Sequence, residues 1–373
     1  MVSKGKILRK SSLIKFINLI VFISIFLLAI YLFFWKLGDK PLVPYDEQLY
    51  RKILIDTINY SDANQSLPLT LREGVQPYFH TSPIWFWLAI VLVKLFGITN
   101  FTLRIISSLS GFLLIMLTFY IGLKYINFYG GLISMFILLT SKPLFFKYSY
   151  LLVHNFKSVE QDALFTLFVL LSFFFTLKAK KNIVYFYLAT ILSGAAFMIK
   201  GPSAIFPLFI FVIFNLINKN NNTKIHGNQI VLGLVIFLIV VLPWHMYQYL
   251  KFGNLFIEEY LGYHYFQRFF TPIENHRHGL FFYFFYLLYP QNYIWGILLY
   301  PILIVRTVFN YTSLTYFDFS LTFNILYILF FYTIAQTKMY WYISSIYPFI
   351  ALLIASNFFF FYGNFKKITH NEQ

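Results

Sequence analysis

The sequence predicts an all-α, polytopic integral membrane protein of about ten transmembrane helices, and three observations carry that prediction. The chain is 59% hydrophobic and 11% charged, where a typical soluble domain is about 25% charged. Apolar stretches of about 15–25 residues recur along it, the length a helix needs to cross a hydrocarbon core of ~30 Å. Those stretches are continuously apolar and do not alternate every second residue, so they read as helices and not as barrel strands.

The first span, 13–35, is too long for a secretory leader and no small-x-small cleavage site follows it, so it reads as retained. The next apolar segment, Pro83-Ile-Trp-Phe-Trp-Leu-Ala-Ile-Val-Leu-Val-Lys-Leu-Phe-Gly97, is too short to cross and carries Lys94 among flanking aromatics. It reads as a helix lying in the interface, which makes 36–101 one long outer loop carrying interfacial helices. Further spans are expected at 102–123, 129–149, 163–177, 184–199, 202–217, 229–250, 280–303, 319–336 and 341–361. A second outer loop falls at 150–162 and a third at 251–279. The spans on either side of Lys200-Gly201-Pro202 are short enough to form a shallow hairpin, which leaves the parity unchanged. With no internal repeat, 1–373 reads as a single membrane domain without a C-terminal soluble domain.

Basic residues set the orientation. Those of 4–10, with Lys124, Lys178, Lys180, Lys181, Lys219, Lys224, Arg306, Lys366 and Lys367, share a side with the termini. Both termini are therefore expected in the cytoplasm of a cell bounded by this plasma (inner) membrane. The net charge of +16 is then a property of cytoplasmic loops, and no nucleic-acid partner is called for. The absence of cysteine excludes disulfides, thiol nucleophiles and cysteine-ligated zinc. The acids fall on the other side: of 13 in the chain, all but Asp318 and Glu372 lie on the outer face. Acids contribute little to orientation, so topology does not explain this bias.

Three outer segments bring acids to that face. Asp46 and Glu47 follow the first span, Glu160 and Asp162 open the fourth, and Glu274 with His276 precedes the span at 280. Converging carboxylates can supply a general base, position a nucleophile or hold a divalent cation. Any one loop acid has the alternative of being merely solvated, but Asp162 abuts a fully apolar helix, where a charge is costly and functional by default. Arg51, Arg104, Lys200, Arg268, Arg277 and Lys338 lie at the same outer mouths. Each is either a headgroup anchor or a partner for a phosphate, since cation–oxygen hydrogen bonds are the strong ones. Lys200 sits between two apolar stretches, where an anchor gains least, and Lys338 sits in a short turn. His80, His264, His276 and His278 are also outer residues. Glu274-x-His276-x-His278 has alternating spacing that is a weak metal signature, so the metal is left unknown: no cofactor is certain, and a divalent cation stays open as one.

The order of motifs resembles the GT-C superfamily of membrane glycosyltransferases, most closely the group containing protein O-mannosyltransferases and the aminoarabinose lipid A transferase. The resemblance runs through Pro44-Tyr-Asp-Glu47 with Tyr50, Ser82-Pro-Ile-Trp-Phe-Trp87 and Leu95-Phe-Gly-Ile-Thr-Asn-Phe-Thr-Leu-Arg104. It continues with Ser107, Glu160-Gln-Asp-Ala-Leu164, Lys200-Gly-Pro202, Leu242-Pro-Trp244, Gly253-Asn-Leu-Phe256, Arg268, Thr337-Lys-Met-Tyr-Trp-Tyr342 and Tyr347-Pro348. It implies transfer of a sugar from a polyprenyl-phosphate carrier to an acceptor hydroxyl of a glycolipid, glycan or protein on the extracytoplasmic face, with membrane lipids around it and inversion at the anomeric carbon. On this resemblance Asp46 is the catalytic base, Asp162 the second acid of the cavity and Glu47 its neighbour. Lys200, Arg268, Lys338 and Arg104 are expected at the carrier phosphate, and His80, Tyr50, Glu274, His276 and Tyr342 at the substrates. Two departures stand out. Leu49 occupies a position that is Arg in many relatives, and His80-Thr-Ser-Pro83 replaces Glu-Lys-Pro-Pro of the aminoarabinose transferases. The donor phosphate must then rely on other cations.

The second reading is a non-catalytic flippase or transporter of a lipid-linked glycan. Such a path needs polar groups deep in several spans, whereas the ionisable residues here gather at one face. A catalytically dead scaffold is a third reading, against which the presence of both Asp46 and Asp162 argues.

Overall fold

The computed structural model describes residues 2–145, 155–217, 225–274, 276–305 and 315–371, with side chains described from 13 to 361 within those ranges. The start of the second outer loop (150–154), Lys219, Lys224, Arg306 and Glu372 lie outside the described residues, as do the side chains of 4–10, Lys366 and Lys367.

The chain is almost wholly helical. Helix α1 (Val2–Phe34) leads into the first long loop, which holds α2 (Asp46–Ala63), a two-stranded antiparallel hairpin of β1 (Arg72–Glu73) and β2 (Gln76–Pro77), and α3 (Ile84–Phe96). There follow α4 (Asn100–Tyr125), α5 (Phe128–Leu139), the single turn α6 (Lys142–Phe145), α7 (Asp162–Ala179), α8 (Val184–Lys200), a 3-10 turn at Pro202–Ile205, α9 (Phe206–Ile217) and α10 (Gly227–Phe252). The third loop begins with the single turn α11 (Asn254–Phe256), an eleven-residue π-helix (Ile257–Gln267) and α12 (Arg268–Phe270). The chain ends in α13 (Phe282–Leu288), α14 (Gly296–Ile304), α15 (Tyr316–Ile334), a 3-10 segment (Tyr340–Ile346) and α16 (Tyr347–Asn371). Side-chain caps fix several starts by satisfying free amide groups: Thr99 accepts from Thr102 N at 3.0 Å, Asn127 from Gly130 N at 2.8 Å and Thr315 from Asp318 N at 3.1 Å.

Among the described residues, six helical segments are long and apolar enough to cross a membrane: Leu13–Phe34, Asn100–Tyr125, Asp162–Ala179, Gly227–Phe252, Tyr316–Ile334 and Tyr340–Phe361. Four shorter apolar helices accompany them: Ile84–Phe96, Phe128–Leu139, Val184–Lys200 and Pro202–Ile217. The expectation of continuous spans fails in two places. The helix expected over 129–149 stops at Leu139, and the one expected over 280–303 breaks between α13 and α14. Pro290 explains the second break: the residue before a proline is driven out of the helical region, and Tyr289 is indeed extended at ψ 113°.

Helix α7 is the centre of the bundle. It packs against α8, α4 and α9, and 78% of its span is buried, against 11% for the span of α1 and 17% for that of α10. The apolar sides of α1 and α10 therefore face outward, as a lipid-facing surface must. Helices α4 and α5 approach so closely that a Cβ on Gly122 would stand 2.7 Å from the Cα of Gly131, so this crossing needs glycine.

The long first loop is tied to the bundle by side chains reaching backbone. Trp244 of α10 donates to Leu69 O at 2.8 Å and Gln248 of α10 to the same oxygen at 2.9 Å. These two anchors hold the loop over the end of the bundle where α1, α8, α10 and α15 finish and α4 and α7 begin. Within the loop, Trp87 donates to Pro68 O at 2.9 Å and Arg72 lies over the Tyr60 ring at 3.9 Å.

Candidate active site

The site is built on a buried ion pair. Glu47, 1% exposed, faces Arg104, 6% exposed. Arg104 Nε donates to Glu47 Oε1 at 2.9 Å and its Nη2 to Oε2 at 2.7 Å. The remaining donors go to the carbonyls of Leu37 (3.2 Å), Lys40 (2.8 Å) and Pro41 (3.0 Å), so all five N–H groups of the guanidinium are used. Glu47 also accepts from Val43 N at 2.8 Å and Val159 N at 2.9 Å. One carboxylate thus joins the chain leaving α1, the start of α4 and the segment that leads into α7. It also holds the start of α2, where Tyr45 is in the left-handed region at φ 72°, a strained conformation for a residue with a side chain.

Asp46, half-buried in the first turn of α2, is set beside this clamp. The second loop is locked next to it: Ser107 donates to Glu160 O at 2.6 Å, and Gln161 donates to Thr81 Oγ1. The charges converge on Tyr50. Burial first, then Glu160, Tyr78, Asp46 and Asp162, push its hydroxyl well above the ordinary phenol range. Tyr78 is raised too, by burial and then Glu73, with Asp46 and Glu160 adding to it and Arg268 opposing. Both phenols are therefore held neutral beside acids of two loops.

The cations lie on the other side of Asp162. Asp162 is in the first turn of α7, where the helix dipole favours a carboxylate, and it pairs with Lys200 at the last turn of α8. Ser344 donates to the same oxygen at 3.2 Å, and Lys200 Nζ stands 6.0 Å from the centre of the Tyr342 ring. Gly201 makes the turn after Lys200 with φ 107°, and a Cβ there would meet Tyr265 at 2.7 Å. Arg268 donates to Tyr342 Oη at 3.2 Å and to Glu274 Oε1 at 3.2 Å, and Tyr263 donates to that Glu274 oxygen at 3.4 Å. His276 Nδ1 lies 3.8 Å from Glu274 Oε2. His80 packs between Tyr78 and Tyr263, ring centres at 5.2 and 5.4 Å.

Of the residues singled out from sequence, Asp46, Tyr50, Asp162, Lys200, Arg268, Tyr342, Glu274, His276 and His80 come together here. Lys338 lies at the edge. It is 2% exposed, its ammonium donates to Ala335 O, and its backbone N donates to His276 O at 3.1 Å. Burial lowers its pKa. Two expectations change. Arg104 uses every donor on Glu47 and three carbonyls, with none left for a phosphate, and Glu47 is enclosed by Arg104 and two backbone amides. Among the described residues no three His, Asp or Glu side chains come together as a metal site, so Glu274, His276 and His278 do not form the cage their spacing permits.

Sequence reasoning missed Tyr78, Tyr263, Ser344 and the Gln161–Thr81 contact. Tyr78 and Thr81 flank His80 and were within reach of the motif that names it; nothing local marks Tyr263 or Ser344.

Residues 80–247 match the family model for dolichyl-phosphate-mannose-protein mannosyltransferases. That stretch holds His80, Arg104, Asp162 and Lys200, while Asp46 and Arg268 lie outside it. An uncharacterized protein of Aquifex aeolicus (strain VF5) is 26% identical over 295 residues, which is 76% of this chain and 63% of that protein. ArnT from Cupriavidus metallidurans bound to undecaprenyl phosphate superposes with a TM-score of 0.71 at 19% identity, over 90% of this chain and 59% of that one. The Archaeoglobus fulgidus oligosaccharyltransferase in its apo form gives 0.55 at 11% identity, over 95% and 52%. The chain thus spans less than two thirds of the length of these relatives.

Proposed function

This chain has the GT-C fold of membrane glycosyltransferases, and on that premise we propose that it transfers a sugar from a polyprenyl-phosphate carrier to an acceptor hydroxyl at the extracytoplasmic face. The observation that carries the reading is a division of charge across one cluster of side chains. Asp46 and Glu160 act on Tyr50 and Tyr78 on one side, and Lys200 and Arg268 stand with Tyr342 on the other. Undecaprenyl phosphate bound to ArnT supports a carrier of that class.

In this reading the acceptor hydroxyl lies against Asp46. Its oxygen forms the bond to the anomeric carbon while its proton passes to the Asp46 carboxylate. The bond from that carbon to the phosphate oxygen breaks, and the electron pair leaves with the polyprenyl phosphate. Attack and departure on opposite faces invert the anomeric centre. Charge gathering on the departing phosphate is met by Lys200 and Arg268, already oriented by Asp162, Glu274 and Tyr342 before substrate arrives, so little reorganisation is needed. The phosphate competes with Asp162 for Lys200 and with Glu274 for Arg268. Tyr50, neutral across the working range, holds substrate oxygens without adding charge.

The test is Asp46→Asn in purified protein supplied with polyprenyl-phosphate sugars. Sugar transfer should fall by about 10²–10⁴ with the protein still folded. Undiminished transfer would remove Asp46 from the mechanism.

A further inference from the structure

His264 has no part in the chemistry above, yet its ring packs on Tyr265, which lies against Gly201 next to Lys200. It lies within the π-helix at Ile257–Gln267, four residues before Arg268. Runs of π-helix are rare and recur at functional sites; this one carries His264 and leads directly into Arg268, the first residue of α12. The charges of Arg268, His80 and Lys200 all act on the His264 ring. Its Nδ1 is buried without a hydrogen-bond partner, and so is Nε of Arg268. Buried polar atoms are rarely left so, and here two of them are four residues apart on one helix. The ring's neighbours do not account for it: Tyr260 and Tyr265 pack on it with ring centres at 6.5 and 5.0 Å, and their hydroxyls bond to each other at 3.2 Å.

Resting on the carrier-phosphate reading, we propose that His264 is a further donor-binding residue, giving a hydrogen bond from a ring N–H to an oxygen of the carrier phosphate beside Lys200 and Arg268. The surroundings favour a neutral ring for this task. Burial first, and then the charges of Arg268, His80 and Lys200, lower its pKa to about 3. A further cation in that ring would be repelled by those present. A neutral imidazole adds a directed donor with no added repulsion.

The experiment measures binding of a polyprenyl monophosphate, and of the matching polyprenol, to the purified full chain in nanodiscs. The protein is compared with His264→Phe, His264→Asn and His264→Gln; the amides place an N–H near Nδ1 or near Nε2. We expect His264→Phe to lose about tenfold or more in affinity for the phosphate, as for a lost hydrogen bond to a charged group. Affinity for the polyprenol should not change, and one amide variant should recover most of the loss. Phosphate binding unchanged in folded His264→Phe, an equal loss for the polyprenol, or a loss that neither amide reverses would each overturn the proposal. Failure of the wild type and of Arg268→Ala alike to prefer the phosphate over the polyprenol would instead sink the carrier reading beneath it.

Discussion

Replacing Glu47 by Gln tests whether this acid builds the site or reacts in it. Glu47 accepts four hydrogen bonds of 2.7–2.9 Å, two from Arg104 and one each from the amides of Val43 and Val159. Gln keeps one acceptor oxygen and turns an NH2 group toward donors, and it leaves the Arg104 charge buried without a counter-ion. Breaking a buried pair by removing one partner costs about 3–5 kcal/mol. Arg104→Met should cost a similar amount for the converse reason. The double variant Glu47→Gln/Arg104→Met should cost clearly less than the two singles added together, because it leaves no lone charge. It does not return to wild type, since the carbonyls of 37, 40 and 41 lose their partner and one of the amides of 43 and 159 meets an NH2 group. The assay is a double-mutant cycle on unfolding in detergent, with sugar transfer measured alongside at a temperature where every variant is folded. Additive singles, or a Glu47→Gln protein of wild-type stability that has lost turnover, would refute the positioning role and return Glu47 to the reacting groups.

Further outcomes follow from the same geometry. Lys200→Met should weaken binding of the carrier phosphate and leave Asp162 buried without its cation, so affinity and melting temperature fall together; a loss of neither would exclude the pair from the site. Lys338 gives a pH signature. Burial holds its folded pKa below the ordinary 10.5, so the unfolded chain binds more protons in the alkaline window between the two values. The wild type should therefore gain stability relative to Lys338→Met as pH rises toward 10.5, and a constant difference across that window would contradict the buried ammonium. Asn254 and Asn228 lie at opposite ends of α10 and are exposed. A cysteine at the first should react with an impermeant reagent from outside intact cells and one at the second should not; the reverse pattern would invert the proposed orientation.

The helices were readable because lipid-facing residues leave an unbroken apolar record. Where packing decides, the record fails. The break before Gly296 was signalled by Pro290 with Gln291 and Asn292, but the apolar count on either side outweighed it. The π-helix at Ile257–Gln267 leaves no periodic trace; its Tyr260 and Tyr265 make contacts distant in sequence, with Ser82 and Gly201. At the site, charge and position named the groups that meet, Asp46, Asp162, Lys200 and Arg268 among them. They did not separate Arg104 from Lys200: both are cations at a helix end, and only burial shows that the first is consumed by its own fold. Glu47 and Asp46 are likewise adjacent acids whose difference is three-dimensional, one enclosed by amides and a guanidinium, the other half-open to the cavity.

The central claim is that Asp46 drives transfer of a sugar off a polyprenyl phosphate. The most direct measurement is release of free polyprenyl phosphate from radiolabelled polyprenyl-phosphate sugars by the purified protein in liposomes containing cell-envelope glycolipid acceptors. The wild type should release it in step with labelled acceptor, and Asp46→Asn should release almost none. Release at the same rate by both proteins, or labelled carrier that crosses the bilayer with its sugar still attached, would contradict it.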